Sequence, residues 1–321
     1  MMLDFLFKAD IWFIDATFKP VSLPFMQLLV VHVVFNQGSR QASIPVFYIL
    51  MSNRTIGNYL RCFKSMLRIV ERHGQGKCVV RTIIIDFEYA MWQAFRNMIA
   101  NSYFDDLTIS GCLFHFCQCI YRRIQLLHLA GVYRTHRLQR LIIKSLMALP
   151  LLPVRHITSE FERLHSRVTR LSANNPIYAQ LLKLCVYVSK QWINGNRWSP
   201  PDFCQYENHH RTNNISESYH SGLRHRLFHK KLSGYQLLRK LWAEAENIPV
   251  TMGPLYRGGR LIGLSVKDDV KQRFLQSYWM QLKYGLITPK GFLLNMVDSP
   301  LLREDPNYAK NHSRIRLKTM V

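Results

Sequence analysis

Two aspartates each follow an apolar segment that is typical of a buried strand. Asp86 comes directly after three isoleucines, and Asp15 comes directly after Trp12, Phe13 and Ile14. Because burying a carboxylate is costly unless it is paired or binds a cation, we expect both side chains at the exposed ends of their strands. Carboxylates on two strands of one sheet can share divalent cations through their hard oxygen atoms. A strand-end aspartate is also a common turn or cap residue, so the pair alone leaves both interpretations open.

Two nearby acids are weaker candidates for the same site. Asp10 precedes its apolar segment, which favours an exposed position. Glu88 falls in the first turn of a predicted helix, where the helix dipole favours an acidic side chain.

Cys112 and His115 are a second set of residues that could do chemistry, as half of a zinc site. Cys117 and Cys119 lie nearby, but helical residues two positions apart do not face the same way. No second Cys or His pair stands at zinc-finger spacing in the sequence. Structural zinc is therefore the weaker interpretation, and cysteine–histidine catalysis is weaker still because nothing obvious orients the histidine.

The hydrophobic pattern predicts the element order β-β-β-α-β-α-β before residue 117. Short turns between the first three strands favour an antiparallel meander, and Pro45 favours an edge or a bulge in the third strand. The predicted strands are 11–18, 25–35, 42–51, a segment ending at Asp86, and 107–113 running into 114–116, and the predicted helices are 53–73 and 88–100.

Beyond residue 116 the apolar residues recur at helical spacing, and no segment has a convincing strand pattern. A further helix begins at Asn213-Asn214-Ile215-Ser216-Glu217. The other helices predicted in this part of the chain are 120–129, 134–149, 158–171, 177–193, 236–246 and one near 266–284.

The charge balance predicts a polyanionic partner. The chain has 43 Lys and Arg against 20 Asp and Glu, a formal net charge of +23, so nucleic acid is the first candidate, an anionic membrane surface the second, and general basicity the alternative. The spans 107–159 and 218–243 contain no acid, whereas a merely solvated helix surface mixes both signs. The residues predicted to contact DNA are Arg122, Arg123, Arg134, Arg137, Arg140, Lys144, Arg224, Arg226, Lys230 and Lys231.

Cysteine usage and the N-terminal residues predict a soluble, intracellular protein. Seven scattered cysteines argue against a disulfide framework. Charged residues interrupt the apolar residues of the N-terminus, and the longest apolar run near it, 25–35, is too short to span a bilayer.

Four motifs, in order, resemble the catalytic domain of Mutator-like element (MULE) transposases, which belong to the DDE transposases of ribonuclease-H-like fold. With the βββαβαβ order, the resemblance covers roughly residues 10–247. The motifs are Ile14–Lys19 for the first aspartate, Ile85–Ala90 for the second, Gly111–Phe116 for the C-x-x-H motif, and Asn213–Tyr219 for the helix that carries the final glutamate.

The resemblance implies a ribonuclease-H-like, mixed five-stranded sheet in which three antiparallel strands are followed by parallel ones. It also implies an all-α insertion before the last catalytic helix. The expected divisions are 1–116 for the first part of the core, 117–212 for the insertion, 213–247 for the final catalytic helix region, and 248–321 for a basic, partly helical extension.

The same resemblance implies DNA cleavage and strand transfer by two-metal chemistry. Asp15, Asp86 and Glu217 would be the catalytic residues and would hold two Mg²⁺ (or Mn²⁺) ions. Cys112 and His115 would lie at the edge of the site as a DNA-contacting or structural pair. The basic residues would clamp the transposon end, so transposon and target DNA are the expected partners, without a membrane, and a second copy of the chain is a further candidate. A nuclear location is expected.

One departure from the family pattern leaves alternatives open. Such transposases usually carry an N-terminal zinc-bearing DNA-binding module, and this chain begins just before the first strand. A fragment, a truncated copy or a domesticated descendant are therefore all expectations. The alternative functions are a catalytically inactive, transposase-derived DNA-binding protein and a ribonuclease-H-like nuclease that acts on RNA or hybrids.

Overall fold

The computed structural model of the chain divides into two compact units. The first contains Met1–Ser110 and Thr212–Lys267, and the second contains Gly111–Arg211 and Asp268–Val321. The residues that the structure describes are 1–18, 21, 23–37, 40–172, 175–212, 216, 219, 220, 222, 223, 226, 232–256, 266–297, 299, 301 and 302.

A five-stranded mixed sheet forms the centre of the first unit. Its strands are β1 (Ile11–Thr17), β2 (Gln27–Gln37), β3 (Arg40–Met51), β4 (Thr82–Ile85) and β5 (Thr108–Gly111). Their order across the sheet is β3-β2-β1-β4-β5, with β1, β2 and β3 antiparallel and β4 parallel to β1. The predicted mixed α/β sheet is thus confirmed, and its topology is compatible with a ribonuclease-H-like fold.

The structure describes the following helices in the two units, in chain order. They are α1 (Met2–Lys8), α2 (Ile56–Gly74), α3 (Tyr89–Ala100), α4 (Leu113–Leu126), α5 (Ala130–Thr135), α6 (Arg137–Ala148), α7 (Val154–Ser172), α8 (Pro176–Val188), α9 (Pro200–Phe203), α10 (Gly234–Tyr256), α11 (Val266–Lys283) and α12 (Pro289–Met296). A 3₁₀ turn, Leu149–Leu151, follows α6, and a π-helical turn, Ser189–Ile193, follows α8.

Local chemistry explains the order of the strands. The three isoleucines of β4 are fully buried, as a β-branched run in a central parallel strand should be. β3 lies at the edge of the sheet, where a proline removes no ladder hydrogen bond that the sheet needs. The register shift between Val31 and His32 falls where His32 pairs with Pro45, so the proline occupies both an edge and an irregularity, as its residue type predicts.

One face of the sheet is covered by α1, α2 and α3. The indole nitrogen of Trp12 donates to the carbonyl oxygen of Leu6 in α1 at 3.1 Å. Phe63 of α2 stacks on Phe95 of α3 with ring centroids 4.2 Å apart. The first contact joins α1 to β1, and the second joins α2 to α3. The opposite face of the sheet is left for other elements.

The opposite face is covered by residues from the later part of the first unit. Leu28 and Val30 of β2 form a buried cluster with Leu223, and with Leu237 and Leu241 of α10. Residues 216, 219, 220, 222, 223 and 226 are helical. The chain therefore returns to the sheet after residue 212 and packs on the face to which Val30 points.

The described residues of the second unit are mainly helical, and two predictions about them need correction. The strand predicted over 107–113 ends at Gly111, and α4 begins at Leu113, because Phe116, Ile120 and Ile124 are buried at helical spacing. The helix predicted over 134–149 is divided at His136, whose backbone is extended. The hydroxyl of Thr135 bonds the Gly131 carbonyl and the His136 ring, which competes with helix continuation.

Candidate active site

The pairing of β1 with β4 brings the chain at Asp15 near the chain at Asp86. Phe13 pairs with Ile84 in these parallel strands; Asp15 lies two residues further along β1, and Asp86 follows directly after the end of β4. Side chains alternate across a strand, so Asp15 shares the face of Phe13, and the same alternation continued one residue past β4 predicts Asp86 on the face of Ile84. Because neighbouring strands are about 4.8 Å apart, we expect the two carboxylates near each other.

Asp15 is buried on the face covered by the later part of the unit, with 6% of its surface exposed. Its Oδ1 atom accepts a hydrogen bond from the backbone N–H of Ala16 at 3.0 Å. Its Oδ2 atom lies 3.5 Å from Nε2 of His220. The neighbouring strand places Val30 opposite Asp15, so the carboxylate has an apolar neighbour on one side and a histidine above it.

Asp86 is half-buried at the residue that follows β4. Its Oδ1 atom accepts from the Glu88 N–H group at 3.3 Å, and its backbone carbonyl accepts from the Trp92 indole at 2.7 Å. Burial raises the pKa of Asp86 to about 6, although the Glu88 N–H group and the charge of Arg54 act in the opposite direction. The start of α3 thus holds the carboxylate in place and partly shields it from water.

Glu88 adds a further acid beside Asp86. Burial and the charge of Asp86 raise the pKa of Glu88, and the Nη1 atom of Arg54 lies 3.9 Å from its carboxylate. A carboxylate that raises the pKa of a neighbouring acid marks a place where a cation is electrostatically favoured.

Two histidines, His32 and His220, belong to the same face, and the sequence motifs assign neither of them to the site. His32 is fully buried, its Nδ1 atom is 3.2 Å from the Ser43 hydroxyl, and its ring meets Tyr219 edge-on at 4.9 Å. Burial and the neighbouring His220 lower the pKa of His32 to about 3, so it is neutral. The sequence signal for His32 was its place in β2: it continues the alternation of Leu28 and Val30, whose side chains share one face of the strand.

The donor chemistry near β1 and β4 fits a hard divalent cation in part. Asp15 and Asp86 supply carboxylate oxygens, which are the ligands that Mg²⁺ takes. Within the described part of the chain, no group of three or more His, Cys, Asp or Glu side chains could hold a metal ion. The predicted third acid, Glu217, lies outside the described residues, as do Arg224, Lys230 and Lys231.

The Cys112 and His115 motif begins α4 in the second unit. Cys112 is fully buried at the residue that precedes the helix, and His115 is half-buried in its first turn. Burial and the charge of Arg122 lower the pKa of His115 to about 4. The side chain of Gln205 donates to the Gly111 carbonyl at 2.6 Å, so the start of the motif is anchored by packing within the unit.

The predicted DNA-contacting residues differ in their exposure. Lys144 is buried, and its Nζ atom donates to the Leu302 carbonyl at 2.7 Å, which argues against the phosphate contact that we predict from sequence. Arg226 makes two hydrogen bonds with Glu244, at 2.7 and 2.8 Å, so its charge is neutralised locally. Of the others, Arg122, Arg134 and Arg137 are exposed, and Arg123 and Arg140 are half-buried.

Comparison with known families finds a match over the strands of the sheet. The family model described as MULE transposase domain matches residues 11–119, a segment that runs from the start of β1 into α4. No curated protein matches the chain. Across the described residues, no helix is both long and apolar enough to cross a membrane. A transposase domain implies interaction with DNA and a transposase-type function. The chain thus carries a MULE transposase domain at residues 11–119.

Proposed function

We propose that the protein is a DDE transposase that cleaves DNA and transfers the resulting 3′ ends by metal-assisted phosphodiester chemistry. The observation that supports the proposal most is the parallel pairing of β1 with β4, from which Asp15 and Asp86 are expected side by side. The MULE transposase domain supplies the substrate class. The ribonuclease-H-like fold, with a helical insertion before its last catalytic helix, and a nuclear site of action are parts of the same proposal.

Asp15 and Asp86 are the proposed metal ligands, with Glu217 as the third. Ser216 and His220 are helical, and His220 lies 3.5 Å from Asp15, which supports a role for this segment of the chain near the two aspartates. Bound Mg²⁺ or Mn²⁺ would supply Lewis-acid polarisation of phosphate oxygens and a more acidic bound water. The raised pKa of Asp86 is consistent with a carboxylate that a cation would stabilise in its ionised form.

The other residues of the site would hold these carboxylates in place. The Ala16 N–H group orients Oδ1 of Asp15, and His220 faces its Oδ2 atom. The Glu88 N–H group orients Oδ1 of Asp86. Each carboxylate therefore has one oxygen directed by the backbone, which limits its rotation before any substrate binds.

The decisive experiment measures nicking and 3′-end joining on labelled duplex DNA with Mg²⁺ or Mn²⁺. Wild type should cleave only with a divalent cation, and Asp86→Asn and Glu217→Gln should each lose activity by on the order of a hundredfold or more while still binding DNA. Asp106→Asn is the matched control, because Asp106 is exposed and loses the same charge.

Three outcomes would contradict the proposal in different ways. DNA binding without any metal-dependent cleavage would identify an inactive, transposase-derived binding protein. Cleavage of RNA–DNA hybrids without cleavage of duplex DNA would identify a nuclease. Full activity in Glu217→Gln would remove that residue from the ligand set.

A further inference from the structure

A cavity of about 590 Å³ lies against the exposed side of α8 in the second unit. Its described lining comes mainly from α8 and the π-helical turn. Along this segment the lining residues are separated alternately by three positions and by one position in the sequence. These residues are Ala179, Leu182, Lys183, Val186, Tyr187 and Lys190, and the rest of the described lining is Arg123 of α4 and Ser172 at the end of α7.

The charge of this cavity has one sign. Arg123, Lys183 and Lys190 line it, and none of its described lining residues is acidic. The surrounding sequence, 163–201, also contains no Asp or Glu and has six Lys and Arg. This acid-free span is a third one, in addition to 107–159 and 218–243. A helix surface that only faces solvent mixes both signs, so the depletion of acids suggests an anionic ligand.

Arg123 is held by an aromatic ring at the wall of the cavity. Its guanidinium carbon lies 5.4 Å from the ring centroid of Tyr187, within the range of a cation–π contact. Burial is the main reason why the pKa of Tyr187 is raised to about 12, so the phenol stays neutral and brings no negative charge into the cavity. The ring therefore positions one planar cation and leaves the positive field uncancelled.

The backbone at Lys190 is shaped by the π-helical turn. Lys190 lies within Ser189–Ile193, and π-helical turns are frequent at functional sites. Gly195 follows closely, and a Cβ atom there would collide with the Lys190 carbonyl oxygen. The close approach of Gly195 fixes the end of the turn and with it the direction in which the Lys190 backbone leaves α8.

We propose that this α8 cavity binds phosphates of a DNA backbone, with Lys183 and Lys190 on separate phosphates and Arg123 on the inner wall. Seven helical residues advance on the order of 10 Å, whereas phosphates of one strand advance about 3.4 Å each along the duplex. The two lysines can therefore engage two different phosphates. The identity of the polyanion as DNA rests on the proposed function, while the phosphate site rests on the cavity.

Salt dependence of DNA binding tests this assignment directly. The probe is a labelled mixed-sequence duplex, titrated at several salt concentrations with the full chain and with Lys183→Gln/Lys190→Gln. The slope of log K against log[salt] is negative, and each lost phosphate contact lowers its magnitude by about 0.9. We expect the double variant to lower it by about 2, with an affinity loss of about eightfold per lysine at 0.1 M salt.

The control is a variant with the same change in net charge in the same unit. Arg163 pairs with Glu160 at 2.7 Å, and Lys283 pairs with Glu207 at 3.3 Å, so Arg163→Gln/Lys283→Gln should leave the slope nearly unchanged. Thermal unfolding of each variant establishes that it is folded. An unchanged slope in the cavity variant, or an equal drop in both variants, overturns the phosphate site.

Two further readouts separate this inference from the proposed function. Poly-glutamate should compete with the duplex far less well than unlabelled DNA, and equal competition would overturn phosphate recognition in favour of a general anion surface. The cleavage assay is independent, because a lowered slope without cleavage retains the phosphate site and refutes the transposase activity. Cleavage with an unchanged slope does the reverse.

Discussion

Replacing Asp86 by Asn should stabilise the protein when no divalent cation is present, because the wild-type carboxylate is ionised where burial disfavours its charge. A pKa of about 6 in the folded state, against a usual value of 3.8, corresponds to about 3 kcal/mol at neutral pH. Asn keeps the shape and the oxygen that accepts from the Glu88 N–H group. The substitution therefore removes the charge while leaving the hydrogen bond.

The sign and the pH window follow from proton binding. Between about pH 4 and 6 the folded wild type binds more protons at Asp86 than the unfolded chain does, so the wild type loses stability as the pH rises through this window. Urea unfolding with EDTA should show Asp86→Asn more stable than wild type by about 1.5 kcal/mol at pH 5 and by about 3 kcal/mol at pH 7.5.

The exposed Asp106 provides the control for this measurement. Asp106→Asn should change the free energy of unfolding by less than about 0.5 kcal/mol at both pH values. Added Mg²⁺ should raise the stability of wild type and leave Asp86→Asn unchanged, since a ligand stabilises only the state that binds it. An Asp86→Asn variant that is equally or less stable at pH 7.5 would refute the desolvation of this carboxylate.

Two other predictions concern packing around the site and the basic surface. Tyr48→Phe and Tyr219→Phe should each lower the free energy of unfolding by about 1 kcal/mol, because each removes the 2.6 Å hydrogen bond between the two phenol oxygens. Urea unfolding of the double variant should show no further loss of stability. Additive losses in the double variant would contradict the pairing. Lys144→Met should lower stability by about 1–3 kcal/mol, because it leaves the Leu302 carbonyl without its donor. Its affinity for duplex DNA should stay within about twofold of wild type, and a tenfold loss would restore Lys144 as a contact.

Local pattern was sufficient to predict the strands of the sheet and the place of Asp86, which follows β4 directly. These features depend on alternation and burial within single segments. The expectation of an exposed strand end was wrong for Asp15, which lies two residues before the end of β1 and is buried. The register of β1 against β4 depends on pairing between segments, which hydrophobic pattern alone does not determine.

The remaining features depend on contacts between residues far apart in the chain. His220 meets Asp15 across more than two hundred positions, and nothing near either residue indicates the contact. Lys144 lies among buried residues of α6, so its apolar neighbours were a signal that charge counting ignored. The division between α5 and α6 is a local feature instead: it coincides with the hydrogen bonds of the Thr135 hydroxyl to the Gly131 carbonyl and the His136 ring, which compete with helix continuation.

The pairing of β1 with β4 restricts where the chain can tolerate insertions and deletions. A one-residue deletion between Phe13 and Asp15 would turn the Asp15 carboxylate to the opposite face and shift it out of line with Asp86. A change of length in a surface turn between the two strands would alter their separation in sequence without altering their alignment. Length variants therefore distinguish the strand segments, where a single residue is critical, from the connecting turns, where several can be added.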